Sequence, residues 1–186
     1  MKRLHFYIIG LFLISFMGKA QRLIPKLKAI ELNAGLLLNN STNKNYFIST
    51  GLTIQAGKGN YSFFGFEYLR ESKNYKTVAI PIDTYIAEAG YSLNLLADRN
   101  KNILVNFSIS AVAGFENINK AEELLFDGAM ILNESNFVYG AGGKISVEVY
   151  VSDRLVLVPH IKTKVLWNIS RDLFRPSAGF GIRINL

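Results

Sequence analysis

The sequence contains no cysteine in its 186 residues. That excludes disulfides, thiolate nucleophiles and cysteine-based metal sites. Histidine is scarce as well: there are two, and only His160 lies outside the N-terminal segment. A lone imidazole cannot build a metal site, and catalysis through it would need a serine and an acid at hand. Long apolar runs are missing beyond the N-terminus, so no stretch of about 20 residues can cross a bilayer as a helix there. The formal charge is +7, but the basic residues form no stripe, so no direct contact with nucleic acid is expected.

What is present is apolar for a chain with no such run. Hydrophobic residues make up 49% and charged residues 19%, and mean hydropathy is +0.18. A membrane β-barrel reconciles the two facts, because each strand turns only half of its residues to lipid. The N-terminus reads as an export signal over residues 1–20. Lys2 and Arg3 supply the positive start, and Phe6 to Phe16 the apolar core. Gly18-Lys19-Ala20 supplies small residues two positions apart, so cleavage is expected after Ala20. An uncleaved anchor is the alternative, and the core is short for one. No cysteine follows the site, so no lipid anchor is expected. Lys2, Arg3 and Lys19 leave with the signal and no acid does, which takes the formal charge from +7 to +4.

The rest, residues 21–186, reads as one barrel domain organised around its last stretch. From Phe174 to Leu186 the residues alternate without a break. Phe174, Pro176, Ala178, Phe180, Ile182, Ile184 and Leu186 share one face, and Arg175, Ser177, Gly179, Gly181, Arg183 and Asn185 the other. Side chains on a strand take opposite faces with period 2. The same code runs through seven earlier stretches: Leu27–Leu38, Tyr46–Ala56, Tyr61–Arg70, Thr77–Leu96, Ile103–Glu116, Phe137–Val151 and Leu155–Asn168. Pro81 is expected to bend or delay the fourth. Gly57–Asn60, Ala97–Asn102 and Ser152–Arg154 read as tight turns. Asn39–Asn45, Glu71–Lys76, Asn117–Asn136 and Ile169–Leu173 read as longer polar loops. Eight strands with loops and turns in alternation predict an all-β, eight-stranded antiparallel transmembrane barrel of the outer-membrane type.

The position of the charges separates this fold from a soluble barrel with an apolar inside. Glu31, Glu67, Glu88, Lys144, Glu148, Lys162, Lys164 and Arg183 all fall on the face that carries glycine and serine, and His160 falls there too. The opposite face is Ile, Leu, Val, Ala, Phe and Tyr almost throughout. An eight-stranded interior is narrow and is filled by side chains. The polar face therefore fits inside, and the nine residues read as a structural charged cluster of the interior. A gated ion path is the rival reading. Tyr46, Tyr68, Tyr85, Phe115, Tyr139, Trp167 and Phe174 fall near strand ends on the loop side, as an interfacial girdle does. Ser146 and Glu148 could lie across a strand pair from His160, which leaves a catalytic trio open as a minor reading. Gly140-Ala141-Gly142-Gly143 sits within a strand and opens no helix, so it is no phosphate loop.

The longest connection, Asn117–Asn136, is the best candidate for function. Asn119 followed by Glu122 has the spacing of a capping box, which predicts a short helix near Lys120 to Phe126. Leu124, Leu125, Phe126, Met130, Ile131 and Leu132 are too apolar for a solvated loop. They either pack on the barrel rim or form a contact surface for another protein.

At this point the residues resemble a known family. QRLIPK at Gln21–Lys26, IELNAG at Ile30–Gly35, GNYSFFGFEY at Gly59–Tyr68 and TYIAEAGYS at Thr84–Ser92 are similar to the TraO proteins of bacterial conjugative transposons. So are FDGAMIL at Phe126–Leu132, FVYGAGGK at Phe137–Lys144, TKVLW at Thr163–Trp167 and FRPSAGFGIRIN at Phe174–Asn185. The resemblance runs in order over essentially the whole chain after the signal. It implies a part in DNA transfer between cells, with other conjugation-apparatus proteins and outer-membrane lipid as partners. It implies no enzyme activity, no cofactor and no metal. The expected location is the outer membrane of a Gram-negative bacterium. A general outer-membrane barrel serving adhesion or membrane stability is the alternative.

Overall fold

A strand with one apolar and one polar face leaves its backbone groups to be paired by neighbours. In lipid only a closed sheet pairs them all. The computed structural model describes residues 24–38, 45–75, 78–118, 135–169 and 173–186, and these form such a sheet. The strands are β1 (Lys28–Leu37), β2 (Tyr46–Gly57), β3 (Asn60–Tyr75), β4 (Val78–Ala97), β5 (Ile103–Ile118), β6 (Ser135–Tyr150), β7 (Leu155–Trp167) and β8 (Phe174–Asn185). Each pairs antiparallel with the next, and β1 pairs with β8 to close the barrel. The export-signal segment lies outside the described residues.

The register fixes the stagger. From Lys28 the partners run through Ile54, Ser62, Tyr91, Ile109, Gly143, Thr163 and Pro176. The Pro176 carbonyl then accepts a hydrogen bond from Leu38 N–H. One circuit therefore returns to β1 ten residues further on, at 38 instead of 28. Such a shear tilts the strands by roughly 35–45°. Because strand number is even, β1 starts and β8 finishes at the same end as the β2–β3, β4–β5 and β6–β7 connections. We call this the turn end, and the opposite end the loop end.

The sheet turns its apolar side outward. Phe66 is 70% exposed and Leu36 58%, whereas Arg183 and Glu148 are both 0% exposed. That inverts a soluble barrel, and it suits a structure whose outer solvent is hydrocarbon. On the outer face at the loop end the predicted aromatics meet ring to ring. Tyr46–Tyr68, Tyr68–Tyr85 and Tyr139–Trp167 have centroids 6.3, 5.3 and 5.8 Å apart. Phe115 and Phe137 continue the band at 5.4 Å.

Two expectations are corrected. The charged stretch Glu71–Lys76 is not a loop: β3 and β4 stay paired from Arg70↔Asp83 to Tyr75↔Val78. Polar residues continue a strand here because neighbouring backbone, not lipid, sustains it. The third connection is thus among the shortest, not one of the long set. Pro81 causes no break. It stands one residue beyond the last β4–β5 pair, Ile82↔Ile118, where no ladder bond needs its missing N–H. The interior also differs from a purely small and polar one. Phe47, Leu69, Ile86, Val112 and Leu166 form one buried apolar cluster, and Leu104, Tyr150, Val156 and Val158 another.

Candidate functional site: the charged interior

Inward positions stack in layers along the barrel axis. From the loop end they run as a buried ion cluster, an apolar layer with Phe47 and Leu69, two ionic layers, and a second apolar layer with Leu104 and Val156. The nine residues singled out from the sequence fall in the two central ionic layers.

Arg183 organises the layer nearer the turn end. In the β1–β8 register it stands directly opposite Glu31. Its Nε donates to Glu31 Oε2 at 2.8 Å, and Nη1 donates to Glu148 Oε2 at 2.9 Å. Nη2 donates to Glu148 Oε1 at 2.9 Å and to the Tyr61 hydroxyl at 2.8 Å. The guanidinium carbon also lies 4.3 Å from the Tyr61 ring centroid. A planar fork offers five donors in a fixed plane and so can bond one carboxylate through both its oxygens while holding a second, a geometry a lysine ammonium does not present. Lys144 Nζ lies 3.5 Å from Glu31 Oε1, and Asn106 Nδ2 donates to Glu148 Oε1 at 2.9 Å.

The second layer is built on Glu67. Its carboxylate accepts from both Lys162 and Lys164, and Lys164 Nζ reaches Glu88 Oε2 at 2.7 Å. Lys162 Nζ also sits 3.7 Å from the centre of the Phe47 ring. Four acids and four bases therefore meet in these two layers, and their formal charges cancel. Charges this deeply buried persist only when paired and hydrogen-bonded.

His160 lies beside Phe47, with ring centroids 6.0 Å apart, and its Nδ1 is 3.0 Å from the Val158 carbonyl oxygen. Ser146 faces it in register. The third member of the conceivable trio, Glu148, is taken up by Arg183 and Asn106. Room for Phe47 and His160 comes from Gly179. A Cβ at that position would lie 2.6 Å from Phe47 Cζ and 3.1 Å from His160 Nε2.

A further buried ion cluster was not singled out in the sequence. Arg175 Nη1 lies 2.6 Å from Glu71 Oε2, and its Nη2 lies 3.1 Å from Glu116 Oε2. Arg175 stood on the polar face and Glu116 only ended the fifth strand on it, but Glu71 was assigned to a loop. Extending β3 by the same parity past Arg70 would have found it. The apolar loop residues Leu124, Leu125, Phe126, Met130, Ile131 and Leu132, and the helix predicted near them, lie outside the described residues.

An apolar outside, an ion-filled inside and an aromatic band on one rim describe a barrel suited to an outer membrane, and the comparisons agree. The sequence profile of a family described as "Conjugative transposon protein TraO" matches residues 24–186. The chain belongs to the TraO family. No curated protein matches the sequence. Among solved structures, this TraO-family barrel is similar to Neisserial surface protein A, with TM-score 0.57 and 11% identity over 87% of this chain and 97% of that one. It is also similar to Ail, the attachment invasion locus protein of Yersinia pestis, with TM-score 0.55 and 10% identity over 87% and 99%. The N-terminal β-barrel domain of Pseudomonas aeruginosa OprF matches with TM-score 0.53 and 7% identity over 87% and 98%. At such identities the likeness concerns the fold alone.

Proposed function

We propose that this TraO-family barrel is an outer-membrane component of the DNA-transfer apparatus of a conjugative transposon in a Gram-negative bacterium. It acts there structurally or by docking other apparatus proteins, not as a pore or an enzyme. The observation that carries this reading is the filled interior: two paired ionic layers lie between two apolar ones. A barrel filled in this way offers partners its ends and its lipid face. The engagement of Glu148 by Arg183 supports a non-enzymatic role for the His160 region. Bound DNA and cofactors have no part in it.

The test is transfer frequency from a donor with an in-frame deletion of the gene, complemented in trans. A fall of orders of magnitude, restored by the wild-type gene, is the expected result. Unchanged transfer would instead favour a general barrel for adhesion or membrane stability. Complementation with a chain lacking residues 119–132 is expected to leave barrel assembly intact and to reduce transfer. Full transfer by that chain would reject the apolar loop as the contact surface.

A further inference from the structure

The exposed charges at the turn end are strongly one-sided. Lys26, Lys28, Lys58, Arg99, Lys101 and Arg154 are all exposed there. Against these six bases stand, among the described residues, only Asp98 and Asp153. Every connection at this end carries at least one base: the lead-in to β1 has Lys26, with Lys28 opening β1 itself, β2–β3 has Lys58, β4–β5 has Arg99 and Lys101, and β6–β7 has Arg154. The bases are thus spread around the whole circumference and not gathered on one side.

Their backbone is unusual. Among the described residues, three of the four non-glycine residues with positive φ are lysines of this ring: Lys26 at 69°, Lys58 at 57° and Lys101 at 55°. The fourth, Asn168, is at the loop end and is a residue type that tolerates the left-handed region. Lys26 follows Pro25 in a turn closed by Leu27 N–H to the Ile24 carbonyl at 3.2 Å, where glycine is the usual occupant. Lys58 and Gly59 form the centre of a tight hairpin turn. Lys101 N–H donates to the Asp98 carbonyl at 2.8 Å. A Cβ is disfavoured in that conformation, so three turns place a lysine where glycine or asparagine would relieve the backbone. Such outliers collect where a side chain has a task.

The level of the ring identifies the task. Ile54 and Ile184, exposed on the apolar outer face, lie within four residues of Lys58 and of the chain's last residue respectively. The bases therefore border the apolar band at its lower edge, where lipid headgroups lie. We propose that the turn end carries a phosphate-binding collar that engages the headgroups of anionic glycerophospholipids in the adjacent leaflet and so sets the barrel's depth in the membrane. This rests on the outer-membrane reading above, under which the leaflet is the periplasmic one. An acidic protein is the other conceivable partner, but a full ring at headgroup depth matches an annulus of lipid better than one docking patch.

The experiment compares the unfolding midpoint of the purified barrel in phosphatidylcholine vesicles with that in vesicles containing phosphatidylglycerol. The native chain and the variant Lys26→Asn/Lys58→Asn/Lys101→Asn are both measured. Asparagine removes the charge and accepts the left-handed backbone, so the variant should fold at least as well as the native chain in the neutral vesicles. The native midpoint is expected to rise with phosphatidylglycerol, each cation near the anionic surface shifting the unfolding constant by about fivefold. The variant is expected to lose most of that rise, and inorganic phosphate added to neutral vesicles should not reproduce it. A native midpoint indifferent to phosphatidylglycerol, or a variant that keeps the full rise, would overturn the collar. So would binding of an acidic polypeptide by the native barrel without any lipid effect, and that result would indicate a protein partner. The assay involves no DNA transfer, so its failure is separable from failure of the transfer measurement.

Discussion

Replacing Arg183 by Met is expected to destabilise the barrel by about 3–5 kcal/mol, because it leaves buried carboxylates without their partner. Arg183 bridges Glu31 and Glu148, and both acids are held inside with little or no exposure. Glu31 keeps Lys144 as a neighbour at 3.5 Å, whereas Glu148 loses its cation. Arg183→Lys is expected to recover only part of the loss, since an ammonium cannot bond both carboxylates in the same plane. Arg183→Met combined with Glu148→Gln removes one charge of each sign and keeps the Glu31–Lys144 pair. Neutral replacement of a buried pair is often tolerated, so this double variant should regain most of the stability. Urea midpoints in one lipid system decide the matter. Equal stability of Arg183→Met and the native chain would show that the interior pairs carry no structural weight.

Placing an arginine on the outer face is expected to have the second largest effect. Ala111 points outward, and its row is completed by Phe64, Ala89 and Ala141. It lies between the girdle residue Phe115 and the turn-end residue Ile103, near the middle of the apolar band. Ala111→Arg should cost about 2–4 kcal/mol in a bilayer, as a cation at the midplane does. Asn100→Arg, in the exposed β4–β5 turn, should cost about 0–1 kcal/mol, as at an interface. This depth dependence separates a lipid-facing surface from a water-facing one, where both substitutions would be nearly silent. The vesicle unfolding assay used for Arg183 reads both.

Much of this architecture was legible because strand parity is strict. Once Glu67 is placed inside, Phe66 and Tyr68 must face out, and the same logic orders Arg175 to Asn185. What parity could not supply was the inner apolar residues. Phe63 and Phe64 are adjacent, so one of them must point inward, and Phe63 does. Phe47, between Tyr46 and Ile48, is the same case. An apolar strand residue reads as lipid-facing unless its neighbours' parity is enforced. Strand length was underestimated at β3 because the apolar signal fades once a strand leaves lipid, while pairing with β4 continues to Tyr75. The choice of ion partners was out of reach altogether. Glu31 and Arg183 are 152 residues apart, and they meet only through closure with a particular stagger. The lysines of the turn end carry no signal of their left-handed backbone in sequence alone, since Lys58 and Lys101 read as ordinary turn residues.

The most direct test asks whether the interior charges serve the fold or the transfer process. A donor lacking the gene would be complemented with the Arg183→Met/Glu148→Gln barrel, and transfer frequency measured beside the amount of folded protein in the outer membrane. Wild-type transfer at wild-type abundance is expected, because the surfaces are unchanged and the inside is filler that pairs with itself. A double variant that folds and accumulates normally yet fails to support transfer would contradict the account, and would place the function inside the barrel.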